Sequence, residues 1–345
     1  GLTTDYAYNT AGQLCRTGAT TCGTPNVTYD DTGRTSLWPG WTLAYDGEGR
    51  LASACKVAGC ATGDMVTMRY DAAGRRVELV TRPNGGSPTT VTFRYQGDAL
   101  AQELSGGSVT RTYVTDETGG IVKVCDPDCS GSNPQYLVTW NGHGDAQALW
   151  RINADGTLTL ANSYTYSTWG TPATATHNGI ADLGFRFRYV GRFGAAWDNA
   201  FGLGLAHRGV RHYSPALARF LQPDPSALEA NLYAYANNSP VTKVDPSGML
   251  GINLNRADRE YCRNPANFGT CLSVWGFIGR AIRETNRVFG GTNDGFPNNA
   301  FLHCVWAGLC SMAFGATTAT TVTNNHENFV GNRFIDRPPR RPGHQ

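Results

Sequence analysis

The chain of 345 residues is 40% hydrophobic, 11% aromatic and only 16% charged, and 29 basic against 27 acidic side chains leave a net charge of +2. That length suits two or three domains of roughly 100–200 residues, and a charge balance so nearly even gives no electrostatic reason for a nucleic-acid or membrane partner. No run approaches the ~18 apolar residues of a membrane-spanning helix, and no basic-then-apolar leader opens the sequence. Gly1-Leu2 fall inside a repeating pattern, so a piece of a longer polypeptide is expected, with its targeting information upstream.

The pattern begins weakly at Tyr8-Asn9-Thr10-Ala11-Gly12-Gln13-Leu14. It becomes Y-D-x-x-G-R at Tyr29-Asp30-Asp31-Thr32-Gly33-Arg34, Tyr45-Asp46-Gly47-Glu48-Gly49-Arg50 and Tyr70-Asp71-Ala72-Ala73-Gly74-Arg75, and decays at Tyr95-Gln96-Gly97-Asp98 and Tyr113–Gly119. Each copy reads as a hairpin: tyrosine ends a strand, aspartate and its followers turn the chain, and glycine supplies a positive φ. The return strand after the third copy is expected to place Val77, Leu79 and Thr81 on one face and Glu78, Val80 and Arg82 on the other.

Cysteines fall in sequence-local couples. Cys15/Cys22, Cys55/Cys60 and Cys125/Cys129 enclose Gly, Thr, Pro, Asp and Ala, as loops between strands do, and are expected to be disulfides of an oxidising compartment; free buried thiols are the alternative. Cys262/Cys271 and Cys304/Cys310 follow. On one helix Cys304 and Cys310 stand ~9 Å apart, past the ~7 Å limit for a bridge, so they pair with Cys262 and Cys271 or stay reduced. None has CxxC spacing.

The recurring motif resembles the YD repeats of the RHS/YD-repeat proteins. The resemblance implies a mainly β fold, a spiral of β-hairpins forming a hollow shell, of which residues 1–160 are a segment. That is too few strands to close a shell. The run from Phe185-Arg186-Phe187-Arg188-Tyr189-Val190-Gly191-Arg192 through Arg211-His212-Tyr213-Ser214-Pro215 and Gln222-Pro223-Asp224-Pro225 to Val244-Asp245-Pro246-Ser247-Gly248 resembles the RHS-associated core domain, placed at 161–249 as the plug. Asn141-Gly142-His143-Gly144-Asp145 resembles the approach to that core.

In this family the core can act as an aspartyl autoprotease that cuts just after the final Asp-Pro-x-Gly. Carried onto these residues, Asp224 and Asp245 are the carboxylates, Arg211 is their cation, and Met249-Leu250 or a bond one residue away is scissile. Such chemistry needs two carboxylates sharing a proton, one activating water and one donating to the carbonyl; no cofactor is required for the core. Four positions depart from the family pattern. Asp224-Pro225-Ser226-Ala227 lacks the glycine, His212 stands where relatives carry an acid or tyrosine, Ser214 replaces the commoner Asp, and Ala218 replaces Gly. The alternative makes both aspartates turn residues before proline, with Arg211 and Arg219 as structural ion-pair partners.

After Gly248 the texture becomes helical, at 272–283, 300–312 and 317–330, before a Pro/Arg-rich tail at 337–343. Residues 250–345 are read as a small α-helical C-terminal domain. Asn299-Ala300-Phe301-Leu302-His303-Cys304-Val305-Trp306 and Asn325-His326-Glu327 resemble a small helical domain at the ends of RHS and other secreted bacterial proteins, with Leu302 where an arginine is usual. His303, Trp306, His326 and Glu327 can form a metal or acid/base set, or a structural cluster in which a buried histidine bonds Glu327 beside Trp306; any cofactor of this domain is unassigned.

Together these residues imply the C-terminal part of a secreted or cell-surface bacterial polymorphic toxin, its effector enclosed and releasable by the core. The partners implied are the upstream part of the same shell, an immunity protein, a secretion apparatus and a target-cell molecule. The alternatives are a teneurin-like adhesion protein, and a core protease followed by a target-binding domain.

Overall fold

The computed structural model describes residues 5–225 apart from 57–59, 98 and 117–118, then 231–245, Gly248 and the backbone of Ile252–Asn253. The chain divides into two compact units, Gly1–Pro225 with Glu229–Gly251, and Ser226–Leu228 with Ile252–Gln345. The predicted C-terminal helices, His303, Trp306, His326, Glu327, Met249, Leu250 and the four cysteines from Cys262 onward lie outside the described residues.

In the first unit, fourteen antiparallel strands run from Thr28–Tyr29 to Pro172–Thr176, and their order in the sheet is their order in the sequence. Every connection is therefore local. The weak first repeat forms a separate hairpin, Tyr6–Tyr8 with Leu14–Thr17.

The repeat motif explains itself in hydrogen bonds. Asp30 donates its N–H to the Arg34 carbonyl, and Gly33 donates back to the Asp30 carbonyl. The Asp30 carboxylate accepts the N–H groups of Thr32 and Arg34 at 3.0 and 2.9 Å and the Arg34 Nε at 2.7 Å. Asp46 and Asp71 do the same for Arg50 and Arg75. Burial pushes the Asp46 carboxyl up, but the bonds from Arg50 outweigh it and hold the group below its ordinary range. Each arginine then lies on the next repeat's tyrosine, Arg34 on Tyr45, Arg50 on Tyr70 and Arg75 on Tyr95, at 4.9–5.1 Å. Each tyrosine hydroxyl donates backward, Tyr45 to the Thr35 carbonyl, Tyr70 to Leu51 and Tyr95 to Arg76. Neighbouring repeats thus stabilise one another in both directions along the chain.

One expectation of simple alternation is modified. Tyr70 pairs with Arg76 and Arg69 with Glu78, so Val77 is an extra residue in a β-bulge. Arg76, not Val77, joins Leu79 on the buried face.

Three predicted cysteine couples, Cys15–Cys22, Cys55–Cys60 and Cys125–Cys129, are disulfides with Cα separations of 5.4, 5.0 and 5.1 Å.

Residues 185–221 return to cover the sheet. Leu203, Leu205 and Leu221 pack with Trp38, Leu43, Met68 and Phe93, while Phe185, Phe187 and Ala196 pack with Tyr113, Leu149 and Tyr164. The alternating Phe-Arg-Phe-Arg therefore sends its rings into the core. Its arginines reach anions, Arg186 to Glu103 at 3.0 Å and Arg188 to Asp182 at 3.4 Å. A small antiparallel sheet, Ala196–Asp198, Leu205–Arg208, Arg211–Ser214 and Arg219–Phe220, completes this layer.

Candidate active site

The small sheet builds the site. Arg211 opens the third strand directly opposite Arg208, across Gly209-Val210. Arg219–Phe220 pairs beside it, and Asp224 follows, its N–H donating to the Leu232 carbonyl at 2.7 Å. The chain then returns through Tyr233–Val244 to Asp245.

Asp224 and Asp245, 21 residues apart in sequence, meet on one nitrogen. Arg211 Nη2 lies 3.3 Å from Asp224 Oδ2 and 3.3 Å from Asp245 Oδ2. All three side chains are buried. Arg211 Nη1 donates to the Leu232 carbonyl at 3.1 Å, Nε donates to the Gly248 carbonyl, and the guanidinium carbon stands 3.6 Å from the Phe220 ring centre. One cation thus orders both carboxylates and the backbone just upstream of the predicted cleavage point. Low dielectric strengthens each of these contacts.

The family departures have local explanations. Ala218 adopts φ +56°, a left-handed conformation natural to glycine, and the Ser214 hydroxyl accepts the Leu217 N–H at 3.1 Å, as an aspartate at a turn does. His212 does not join the carboxylates: its ring packs 4.9 Å from His207, and neither ring nitrogen has a hydrogen-bond partner. Arg219 stands apart as well, over the Tyr233 ring at 4.8 Å.

Sequence reasoning gave no role to His143. Its Nδ1 lies 3.0 Å from Asp145 Oδ1 and its Nε2 3.4 Å from the Lys243 carbonyl, two residues before Asp245. Tyr189 grips the same approach, its hydroxyl donating to the Pro240 carbonyl at 2.8 Å. Burial pushes the Asp145 carboxyl up, and the bonds from His143, Asn141 and Val190 outweigh it, holding the group below the ordinary range. The visible signal was the polar run Asn141–Asp145 inside a tight turn.

Burial, reinforced by nearby positive charge, lowers both histidines of the stacked pair, His207 to about 3 and His212 well below the ordinary 6.5. Folded histidines that stay neutral bind fewer protons than unfolded ones. Stability is therefore expected to be flat above the ordinary histidine value of 6.5 and to fall below it, by up to about 1.4 kcal/mol per pH unit for each histidine. His212→Phe should flatten that slope in urea denaturation at stepped pH; an unchanged slope removes His212 from the acid response.

Among the described residues no group of three or more His, Cys, Asp or Glu is placed to hold a metal, and no helix is long and apolar enough to cross a membrane.

No protein-family model matches the chain. It is 28% identical over 256 residues to the tRNA3(Ser)-specific nuclease WapA of Bacillus spizizenii, covering 71% of this chain and 10% of WapA. It is 27% identical over 236 residues to the toxin protein Tse5 of Pseudomonas aeruginosa, covering 60% of this chain and 17% of Tse5. Among solved structures, the Photorhabdus luminescens Tc holotoxin pore with mutant TccC3 aligns with a TM-score of 0.53 at 20% identity, over 73% of this chain and 13% of that one. The chain thus spans a small fraction of each relative, and the solved structure shares its fold. With the interlocked Y-D-x-x-G-R hairpins, the sheet they build and the toxins it matches along most of its length, this chain belongs to the RHS/YD-repeat proteins.

Proposed function

We propose that this chain is the C-terminal part of a secreted bacterial toxin, in which residues 1–160 are shell, 161–249 are an autoproteolytic core and 250–345 are the effector the core releases. The observation that carries the reading is the convergence of Asp224 and Asp245 on Arg211, with the Gly248 carbonyl on the same guanidinium. One carboxylate takes a proton from water as the water oxygen attacks the scissile carbonyl carbon. The other carboxyl gives its proton to the carbonyl oxygen. Collapse of the tetrahedral intermediate breaks the C–N bond as the nitrogen takes a proton, leaving a new carboxyl terminus on the core and a free amine on the effector. Arg211 holds the carboxylates together, and its bond to the Gly248 carbonyl anchors the residue that precedes Met249 in sequence. The reaction draws on no cofactor.

The names WapA and Tse5 carry, nuclease and toxin, support this reading over an adhesion protein. Three disulfides suit an exported protein. An immunity protein, a secretion apparatus and the upstream shell are its partners in this reading.

Intact mass under denaturing conditions tests it. Wild type is expected to break beside Met249, while Asp224→Asn and Asp245→Asn each stay whole at 37.1 kDa. A wild type that stays unbroken across the pH range, or variants that break as wild type does, removes the proposal.

A further inference from the structure

Arg208 carries a charge that the site as described does not use. Its exposure is 0%, and Nε, Nη1 and Nη2 make no hydrogen bond. Tyr189, Tyr213 and Tyr235 enclose it, their ring centres 5.2, 5.1 and 4.7 Å from the guanidinium carbon. Aromatic faces attract a cation, but they carry no net charge, and a buried cation is tolerated when an anion is near.

The strand register sets Arg208 beside Arg211, the cation that holds both carboxylates. Arg208 and Arg211 are direct cross-strand partners, so their side chains share a face. The Arg208 carbonyl adjoins Gly248. Tyr235, in contact with the Arg208 guanidinium, also lies within the field of Asp245. Arg211 alone faces two carboxylates and leaves the group one negative charge in excess, a count that closes with one proton on the pair. With Arg208 added, two cations match two carboxylates and the cluster is neutral with no proton on it.

We propose that Arg208 is the second cation of the processing site, a positioning residue whose charge keeps the proton that self-cleavage needs off the Asp224/Asp245 pair until the surroundings acidify. This rests on the autoproteolytic reading above and adds to it a trigger. The charged and titratable groups around Arg208 are the three tyrosines, Arg211 across the strand pair with Asp224 and Asp245 on its far side, and the His143–Asp145 pair behind Tyr189. All sit on rigid strands or on the segments bonded to them.

The full chain refolded from denaturant across a pH series, with cleavage followed by intact mass, tests the proposal. Wild-type cleavage is expected to quicken on acidification. Arg208→Met, which fills the same space without charge, should displace the whole profile to higher pH by about one unit, the size of one charge acting at roughly 10 Å in a protein interior. Arg208→Lys should follow wild type. Superimposable wild-type and methionine profiles overturn the role of Arg208 and leave the autoprotease intact, as does a lysine variant displaced like methionine. A wild type that stays whole at every pH removes the autoprotease itself and this proposal with it. Thermal melting reports whether the methionine variant folds; if it does not, Arg208→Gln makes the same neutral comparison.

Discussion

Replacing Arg76 with methionine is expected to lower the unfolding free energy by about 3–5 kcal/mol, the usual effect of leaving one member of a buried ion pair without the other. Arg76 Nη1 lies 2.5 Å from Asp198 Oδ2, and the two side chains are 4% and 2% exposed. The pair joins a strand of the main sheet to the first strand of the core layer across 122 residues of sequence. Asp198 has little else: Arg186 Nη1 stands 3.6 Å from its other oxygen, which makes no hydrogen bond. Without Arg76 the carboxylate is desolvated and nearly alone. Asp198→Leu added to Arg76→Met should recover most of the loss, because an apolar pair of similar volume carries no desolvation cost. Urea denaturation of the full chain, read by tryptophan fluorescence, measures both. A double variant no more stable than Arg76→Met shows that the arginine acts through packing on Phe93, over which it also lies at 5.3 Å, and not through its charge.

That pair marks where the sequence stopped being legible. The hairpins could be read because every residue of Y-D-x-x-G-R acts locally. Aspartate bonds its own turn, glycine takes φ near +80° in each strong copy, and arginine and tyrosine grip the adjoining repeats. Arg76 carries no signal in its spacing, since its burial follows from a bulge at Val77 that a two-residue period does not anticipate. The convergence of Asp224 and Asp245 was reached through resemblance, because no local periodicity relates residues that far apart. His143 and Arg208 went unread for the same reason: their significance lies in what the fold brings against them, the Lys243 carbonyl in one case and three tyrosine rings in the other. Short-range chemistry writes itself into spacing, and tertiary contact does not.

Under the proposed autoproteolytic function, Gly248→Ala is expected to slow self-cleavage by about a hundredfold or more, the scale of misplacing a reacting group by an ångström, while the rest of the core stays folded. Two constraints act at this residue. Its φ is +67°, and a Cβ placed there would collide with the Arg208 carbonyl oxygen and stand 3.2 Å from the Arg211 nitrogen. Both are backbone atoms of a tight turn whose strands are paired on either side, so neither can yield. The substituted chain must therefore lift away, and the Gly248 carbonyl leaves Arg211 Nε. Gly74 separates the two constraints: φ there is +82°, but nothing lies within 4 Å of an added Cβ. Gly74→Ala should lower stability by about 1 kcal/mol and leave cleavage unchanged. Asparagine, which tolerates a left-handed backbone, should be nearly harmless at 74 and as damaging as alanine at 248. Cleavage rates of the four variants by intact mass decide the matter. If Gly248→Asn cleaves like wild type, crowding against Arg208 is not what this glycine avoids, and the close seat of the chain over Arg211 is not what the reaction requires.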